Sequence, residues 1–215
     1  MEQIILRQVL PEVFVNEAKR DSQVWQTELV LRKGEVCLVE AASGTGKSSL
    51  CSYIYGYRSD YEGTIFFDQE DIKNFSVARW SELRRTSLST VFQELRLFPE
   101  LTARENIGLK LSLVPRFKED KWVSGCFERL GIADRLDTKV SKLSFGQQQR
   151  VAFVRALCQP FDFLLLDEPV SHLDDINAQI VAAMLAEVVA TEECGVILTS
   201  IGKHPDMKYD KILKL

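Results

Sequence analysis

Apolar and polar positions alternate over residues 4–9 and 25–31, the period of two expected of half-buried strands. Lys33 and Gly34 end the second run, and a turn there leads into residues 35–40. Within these, Val36-Cys37-Leu38-Val39 is apolar without alternation, as in a strand buried on both faces. A turn rich in Gly and Ser follows, then a helix from about residue 47 to 55. Residues 77–85 and 118–130 have the amphipathic spacing of helices. The stretch between them holds Pro99, Pro115 and several polar turns, so residues 94–142 read as a helical lobe inserted into an α/β core. Residues 144–157 begin with a polar turn and continue as a helix. Residues 161–166 and 195–200 are short apolar runs, two more buried strands. Such strands interleaved with helices predict a mainly parallel sheet with helices on both faces, preceded by an N-terminal antiparallel β part.

Length and composition narrow the function classes. A chain of 215 residues suits one domain, or one domain with a lobe, and buries a full core. The net charge of −4 points away from a general nucleic-acid binder, which carries a basic face, so no nucleic-acid partner is expected. The five cysteines form no CxxC pair and are odd in number, which predicts neither a disulfide framework nor a zinc site and fits a reducing compartment. The N-terminus lacks a basic region followed by an apolar run, so no signal peptide is expected. The strongest apolar runs, 161–166 and 180–190, are too short or too mixed to span a bilayer. Work at a membrane would therefore require another chain to do the spanning.

Two segments carry the chemistry. Ala41-Ala42-Ser43-Gly44-Thr45-Gly46-Lys47-Ser48 lies between an expected strand and an expected helix, the context of a phosphate-binding loop. Its backbone N–H groups and the helix N-terminus would face phosphates. Gly44 and Gly46 let the backbone approach closely. Lys47 would meet the β- and γ-phosphates, and Ser48 would offer its hydroxyl to Mg²⁺. Ser43, Thr45 and Ser49 complete the binding set. The plainer alternative, a Gly/Ser turn with a solvated Lys47, loses ground to the second segment. There, residues 161–166 run into Asp167-Glu168-Pro169, placing two acids at the edge of a sheet where α/β proteins bind ligands. Asp167 would hold Mg²⁺ through water, and Glu168 would polarise the attacking water as general base.

Between these segments stands Leu143-Ser144-Phe145-Gly146-Gln147. Here the chain resembles the ABC ATPase family, whose hallmark reads LSGGQ. The resemblance covers nearly the whole chain in the family's order. It runs from the phosphate loop through Gln93 after an apolar strand, the hallmark and the two strand acids to Ser171-His172-Leu173-Asp174, which is similar to SALD.

The resemblance implies a P-loop NTPase core, one ABC ATP-binding domain over residues 1–215, and ATP with Mg²⁺ as ligands. It implies that two chains, identical or related, sandwich two ATP molecules head to tail. Ser144, Gly146 and Gln147 would then act on the partner's nucleotide, and Asp174 would cross the interface. Gln93 would contact Mg²⁺ and the attacking water and link the nucleotide to the helical lobe. Phe14, rather than Trp25, would stack on adenine. The lobe would receive an integral-membrane transporter subunit at the cytoplasmic face of the inner (cell) membrane, with this chain peripheral. Residues 91–106 are similar to the branch that serves lipoprotein release, cell division and macrolide export.

Three positions depart from the family pattern. Ala41 and Phe145 stand for glycines, and Ser200 stands where the family has a γ-phosphate histidine. Serine supplies at most a neutral hydrogen bond at this catalytic position. Losing one transition-state contact slows catalysis by roughly 10²–10³, so a slow or partner-dependent ATPase is expected. Two other classes stand beside this reading. A soluble ABC ATPase of DNA repair would carry a long coiled-coil insert, and one of translation would carry two ATP domains; neither fits this length. An ATP-binding sensor with weak or no hydrolysis is the third class, prompted by Ser200.

Overall fold

The computed structural model describes residues 1–16, 21–114 and 117–215; Pro115, read as part of a turn, lies outside them. In chain order the strands and longer helices are β1 (Gln3–Pro11), β2 (Glu28–Arg32), β3 (Val36–Glu40), α1 (Lys47–Ile54), β4 (Tyr61–Phe67), β5 (Glu70–Asp71), α2 (Val77–Thr86), β6 (Leu88–Val91), α3 (Ala103–Leu113), α4 (Asp120–Arg129), α5 (Phe145–Ala156), β7 (Phe163–Asp167), α6 (Asp175–Glu192), β8 (Gly195–Ser200) and β9 (Lys211–Lys214). Two sheets result. One is antiparallel, in the order β2-β1-β4-β5, and the other is parallel, in the order β6-β7-β8-β3-β9.

The continuous apolar runs of the parallel sheet have a direct cause. Val36 and Leu38 of β3, Leu164 and Leu166 of β7, and Val196 and Leu198 of β8 face one core, which they share with α5, α6 and the helical lobe. Cys37 and Val39, Phe163 and Leu165, and Ile197 face the other core, shared with α1 and the antiparallel sheet. Successive side chains point to opposite faces, and both faces are covered, so none of these apolar positions tolerates a polar residue cheaply. Each fully buried Leu, Ile or Phe contributes about 1.5–3 kcal/mol. Val123, Phe127 and Leu130 of the lobe belong to the same buried cluster as Leu164 and Leu198 of the sheet, so lobe and sheet stand on one continuous core.

Residues 94–142 do form helices, α3 and α4 with two short 3-10 turns, and this region packs against α5. Its entry is fixed by a capping box that the sequence spells as Thr102-x-x-Glu105: Thr102 Oγ1 accepts from the Glu105 amide, and the Glu105 carboxylate accepts from the Thr102 amide. The second strand begins at Glu28, not Trp25, because residues 23–27 fold into a turn that buries Trp25 beneath the phosphate loop. β7 extends through Asp167, which places the first strand acid inside the sheet and the second just beyond it.

Candidate functional site

The C-terminal edge of the parallel sheet brings the phosphate loop and the strand acids together. Residues 41–46 link β3 to α1, and the Ala41 amide donates to the Ser200 carbonyl at 3.1 Å, tying the loop to the end of β8. The loop is braced internally by Thr45 Oγ1, which donates to the Ala42 carbonyl at 2.9 Å. Below it, Trp25 Nε1 donates to the Thr45 carbonyl at 3.0 Å. Gly46 ends the loop at φ +102°, and a Cβ there would stand 3.0 Å from Trp25 and 3.1 Å from Phe14, so only glycine fits. No side chain caps α1, which leaves its first N–H groups directed at the loop's concavity, a ready anion site.

A cavity of about 350 Å³ opens over this loop, lined by Ser43, Gly44, Gly46, Lys47, Ser48, Ser49, Gln93, Glu168, Phe14, Val13 and Ile201. Lys47 is nearly buried, donates from Nζ to the Ala42 carbonyl at 3.0 Å, and stands 3.9 Å from Glu168 Oε1. Ser48 Oγ donates to Gln93 Oε1 at 3.4 Å, joining the first turn of α1 to the segment after β6. Ser49 accepts from Arg58 at 3.0 Å. Asp167 lies behind Glu168, 5% exposed, with Oδ1 accepting from Thr199 Oγ1 at 2.5 Å. That bond fixes the carboxylate from behind. Glu168 itself takes φ +53°, in the left-handed region that residues with a Cβ seldom adopt.

The segment after Gln93 is equally constrained. Leu95 and Arg96 both have positive φ, and Arg155 of α5 donates to both of their carbonyls at 2.7 Å. Asn106, fully buried on α3, receives the Phe98 amide at 2.8 Å and donates to the Phe98 and Thr102 carbonyls. Gln93 is thus connected through its own loop to the helical lobe.

Ser144, Gly146, Gln147 and Asp174 do not line this cavity. They form a second surface. Ser144 caps α5, accepting from the Gln147 amide at 3.3 Å, while Gln147 Oε1 accepts from the Ser144 amide at 2.9 Å. Asp174 caps α6 through the Asn177 amide at 2.8 Å. Gly146 packs so tightly on the loop 171–174 that an added Cβ would stand 2.9 Å from the His172 carbonyl. Phe145 is 43% exposed and its ring lies 4.4 Å from that of His172, so the two unusual side chains of the hallmark and the following loop pair with each other.

Ser200 is 1% exposed, donates its hydroxyl to the Lys203 carbonyl at 2.8 Å, and is not among the cavity-lining side chains; Ile201, next in sequence, lines the cavity instead. Phe14 lines the cavity but is only 8% exposed, whereas Val13 beside it is 64% exposed. Trp25, at 3% exposure, is spent on supporting the loop. Sequence reading missed Val13 and Ile201, which carry no chemical signal. It also missed Thr199, whose only signal was its register beside Asp167.

Ser48, Gln93 and Asp167 offer only oxygens, the donor type Mg²⁺ prefers. Among the described residues no group of three or more His, Cys, Asp or Glu side chains is placed to hold a metal by itself. A few protein oxygens completed by phosphates and water suit Mg²⁺. No helix among the described residues is long and apolar enough to cross a membrane.

Comparison with known proteins agrees with this geometry. The ABC transporter family model matches residues 25–171. The lipoprotein-releasing system ATP-binding protein LolD of Shewanella frigidimarina is 34% identical over 75% of this chain and 68% of its own length. The ABC transporter ATP-binding protein YtrE of Bacillus subtilis is 32% identical over 86% of this chain and 84% of its own. Among solved structures, the dimeric ABC transporter cassette MJ0796 superposes with a TM-score of 0.78 at 26% identity, covering 92% of this chain and 87% of that one. A post-hydrolysis state of the same cassette, bound to ADP and Pi, gives 0.77 at 25% identity, covering 93% and 88%.

Proposed function

The chain belongs to the ABC transporter family and is an ATP-binding ATPase of it, and on that premise we propose that it powers an integral-membrane transporter or mechanotransmission complex by pairing, on ATP, with a second such chain. The observation that carries the reading is the convergence of Lys47, Ser48, Gln93 and Glu168 on one cavity at the sheet edge. Ser144, Gly146 and Gln147 do not line that cavity, which supports their acting on a partner's nucleotide instead.

In this reading the α1 N-terminus and Lys47 hold the β- and γ-phosphates. Ser48, Gln93 and Asp167 would hold Mg²⁺, which neutralises charge on the phosphate oxygens. Glu168 takes a proton from the attacking water, and its carboxylate sits at the cavity wall where that water must arrive. Ser144, Gly146, Gln147 and Asp174 complete the partner's site. Phe14 and Val13 form the apolar end where adenine rests. Residues 1–215 act as one domain whose lobe, 94–142, receives the membrane subunit, and the chain works peripherally at the cytoplasmic face. The relative named for lipoprotein release supports the branch that serves lipoprotein release, cell division and macrolide export.

Sedimentation with and without Mg-ATP, using Glu168→Gln to slow turnover, tests the pairing. The reading expects a nucleotide-dependent dimer, and a monomer at saturating Mg-ATP contradicts it. Recovery with a membrane-spanning subunit from solubilised membranes separates a transport role from a soluble one. The geometry of Ser200 favours one second reading, a chain that binds ATP but turns it over slowly. Ser200→His raises turnover in that case; unchanged turnover with ATP binding intact excludes it.

A further inference from the structure

The carbonyl of Glu168 is one of the most heavily bonded groups in the site, and the side chain that reaches it from outside the strand-to-helix turn has no role so far. Gln149 lies on α5, two residues beyond the hallmark, and is 2% exposed. Its Nε2 donates to the Glu168 carbonyl at 2.9 Å and to Ser171 Oγ at 3.4 Å. Its Oε1 accepts from the His172 amide at 3.3 Å. The same Glu168 carbonyl receives Ser171 Oγ at 3.1 Å and the Ser171 amide at 3.3 Å. These partners fix the orientation of the amide: reversed, it would set oxygen against the Glu168 carbonyl and a donor against the His172 N–H.

We infer that Gln149 is a positioning residue for Glu168, locking the left-handed backbone at that residue and so the aim of its carboxylate into the cavity. A backbone at φ +53° with a Cβ attached persists only where its surroundings over-determine it. The Glu168 amide is already bonded to the Thr199 carbonyl at 3.2 Å, which anchors one side of the peptide. Gln149 and Ser171 anchor the other. A buried amide whose two ends are both used is a rigid strut, and a half-satisfied one is costly, so the network holds as a unit. Lys47 adds a longer contact from the cavity side, its Nζ 3.9 Å from Glu168 Oε1. The inference rests on the reading of Glu168 as the base.

The test is single-turnover hydrolysis with protein in excess over labelled Mg-ATP, with nucleotide affinity measured in parallel. Gln149→Glu keeps the size and the acceptor facing His172 but sets a carboxylate oxygen against the Glu168 carbonyl. Gln149→Met removes all three side-chain bonds. Misplacing a catalytic group by about 1 Å costs on the order of 100-fold, so the rate constant per bound nucleotide should fall about 10- to 100-fold in both, with affinity within about 2-fold of the parent. Ser171→Ala, at an exposed position that does not threaten folding, should lower the rate a few-fold. Rates per bound nucleotide within about 2-fold of the parent in Gln149→Glu or, should the Gln149 variants not fold, in Ser171→Ala overturn the inference. So does a loss of rate that only mirrors a loss of binding. Glu168→Gln hydrolysing at the parental rate would instead remove the base reading beneath it, a distinguishable result.

Discussion

Lys47 Nζ stands 3.9 Å from Glu168 Oε1, the ammonium from the phosphate loop facing the carboxylate from the end of β7 across one cavity. Both side chains are largely removed from water, at 5% and 12% exposure. In that setting a charge-assisted contact to phosphate is worth about 1.5–3 kcal/mol. Lys47→Met should therefore weaken ATP binding roughly 10- to 100-fold, read by titration with a fluorescent ATP analogue. Unchanged affinity would place the phosphates elsewhere.

Gly146→Ala tests the close approach of the hallmark to the loop 171–174. The added Cβ would meet the His172 carbonyl at 2.9 Å, and backbone cannot step aside as a flexible side chain can. Overpacking of this kind costs about 1–3 kcal/mol, or several degrees in Tm. The displaced loop carries Asp174, so turnover should fall roughly 10-fold or more while the chain still folds. Calorimetry and steady-state hydrolysis on the same preparation check both halves.

The thiols should be silent in the native state. Burial pushes Cys37, Cys158 and Cys194 up to about 12 and Cys126 to about 11, and drives Cys51 well above its usual range. The thiolate is the reactive form, so at pH 8 almost none is present. A colorimetric thiol titration should find less than about one equivalent in native protein and all five in denaturant. More than one fast native thiol contradicts the packing of these cores.

Lys110 gives the fold a pH dependence. Burial, followed by the charge of nearby Arg155, brings its ammonium down to about 8. The unfolded chain, with an ordinary lysine near 10.5, binds this proton more readily between those two values. Stability from this residue is full above about 10.5, falls as pH drops toward 8, and is flat below. Denaturant unfolding of the parent and of Lys110→Met across pH 7 to 11 should show the variant gaining on the parent as pH falls. A difference independent of pH would contradict the shift.

How much of this was legible in the sequence follows from what each residue does locally. The phosphate loop, β3, β8 and the hallmark helix were readable because their signals are short-range: unbroken apolar runs, a Gly-rich turn, and Ser144 three residues before Gln147 in a capping box. β4 was missed because Glu62, Gly63 and Thr64 interrupt its apolar pattern. β9 was missed because it is a four-residue edge strand flanked by lysines. The extension of the second strand back to Trp25 failed because an aromatic at the right spacing served the phosphate loop instead. The cavity was harder. Lys47, Ser48, Gln93 and Glu168 carry chemistry in their residue types and declared themselves. Thr199, Gln149 and Ile201 make contacts across 19 or more residues of sequence or stand at a sheet edge, and no local pattern encodes that. Gln149 was visible only as part of a polar run.

Glu168, in the proposed function, is the base of an ATPase that works as a pair of chains. The most direct measurement is Mg-ATP hydrolysis by the purified parent beside Glu168→Gln over a range of protein concentrations. Turnover per chain should rise steeply with concentration and fall at least about 100-fold in Glu168→Gln, with nucleotide binding retained. Parental turnover in Glu168→Gln, or turnover per chain that does not change with concentration from far below to far above micromolar, would contradict it.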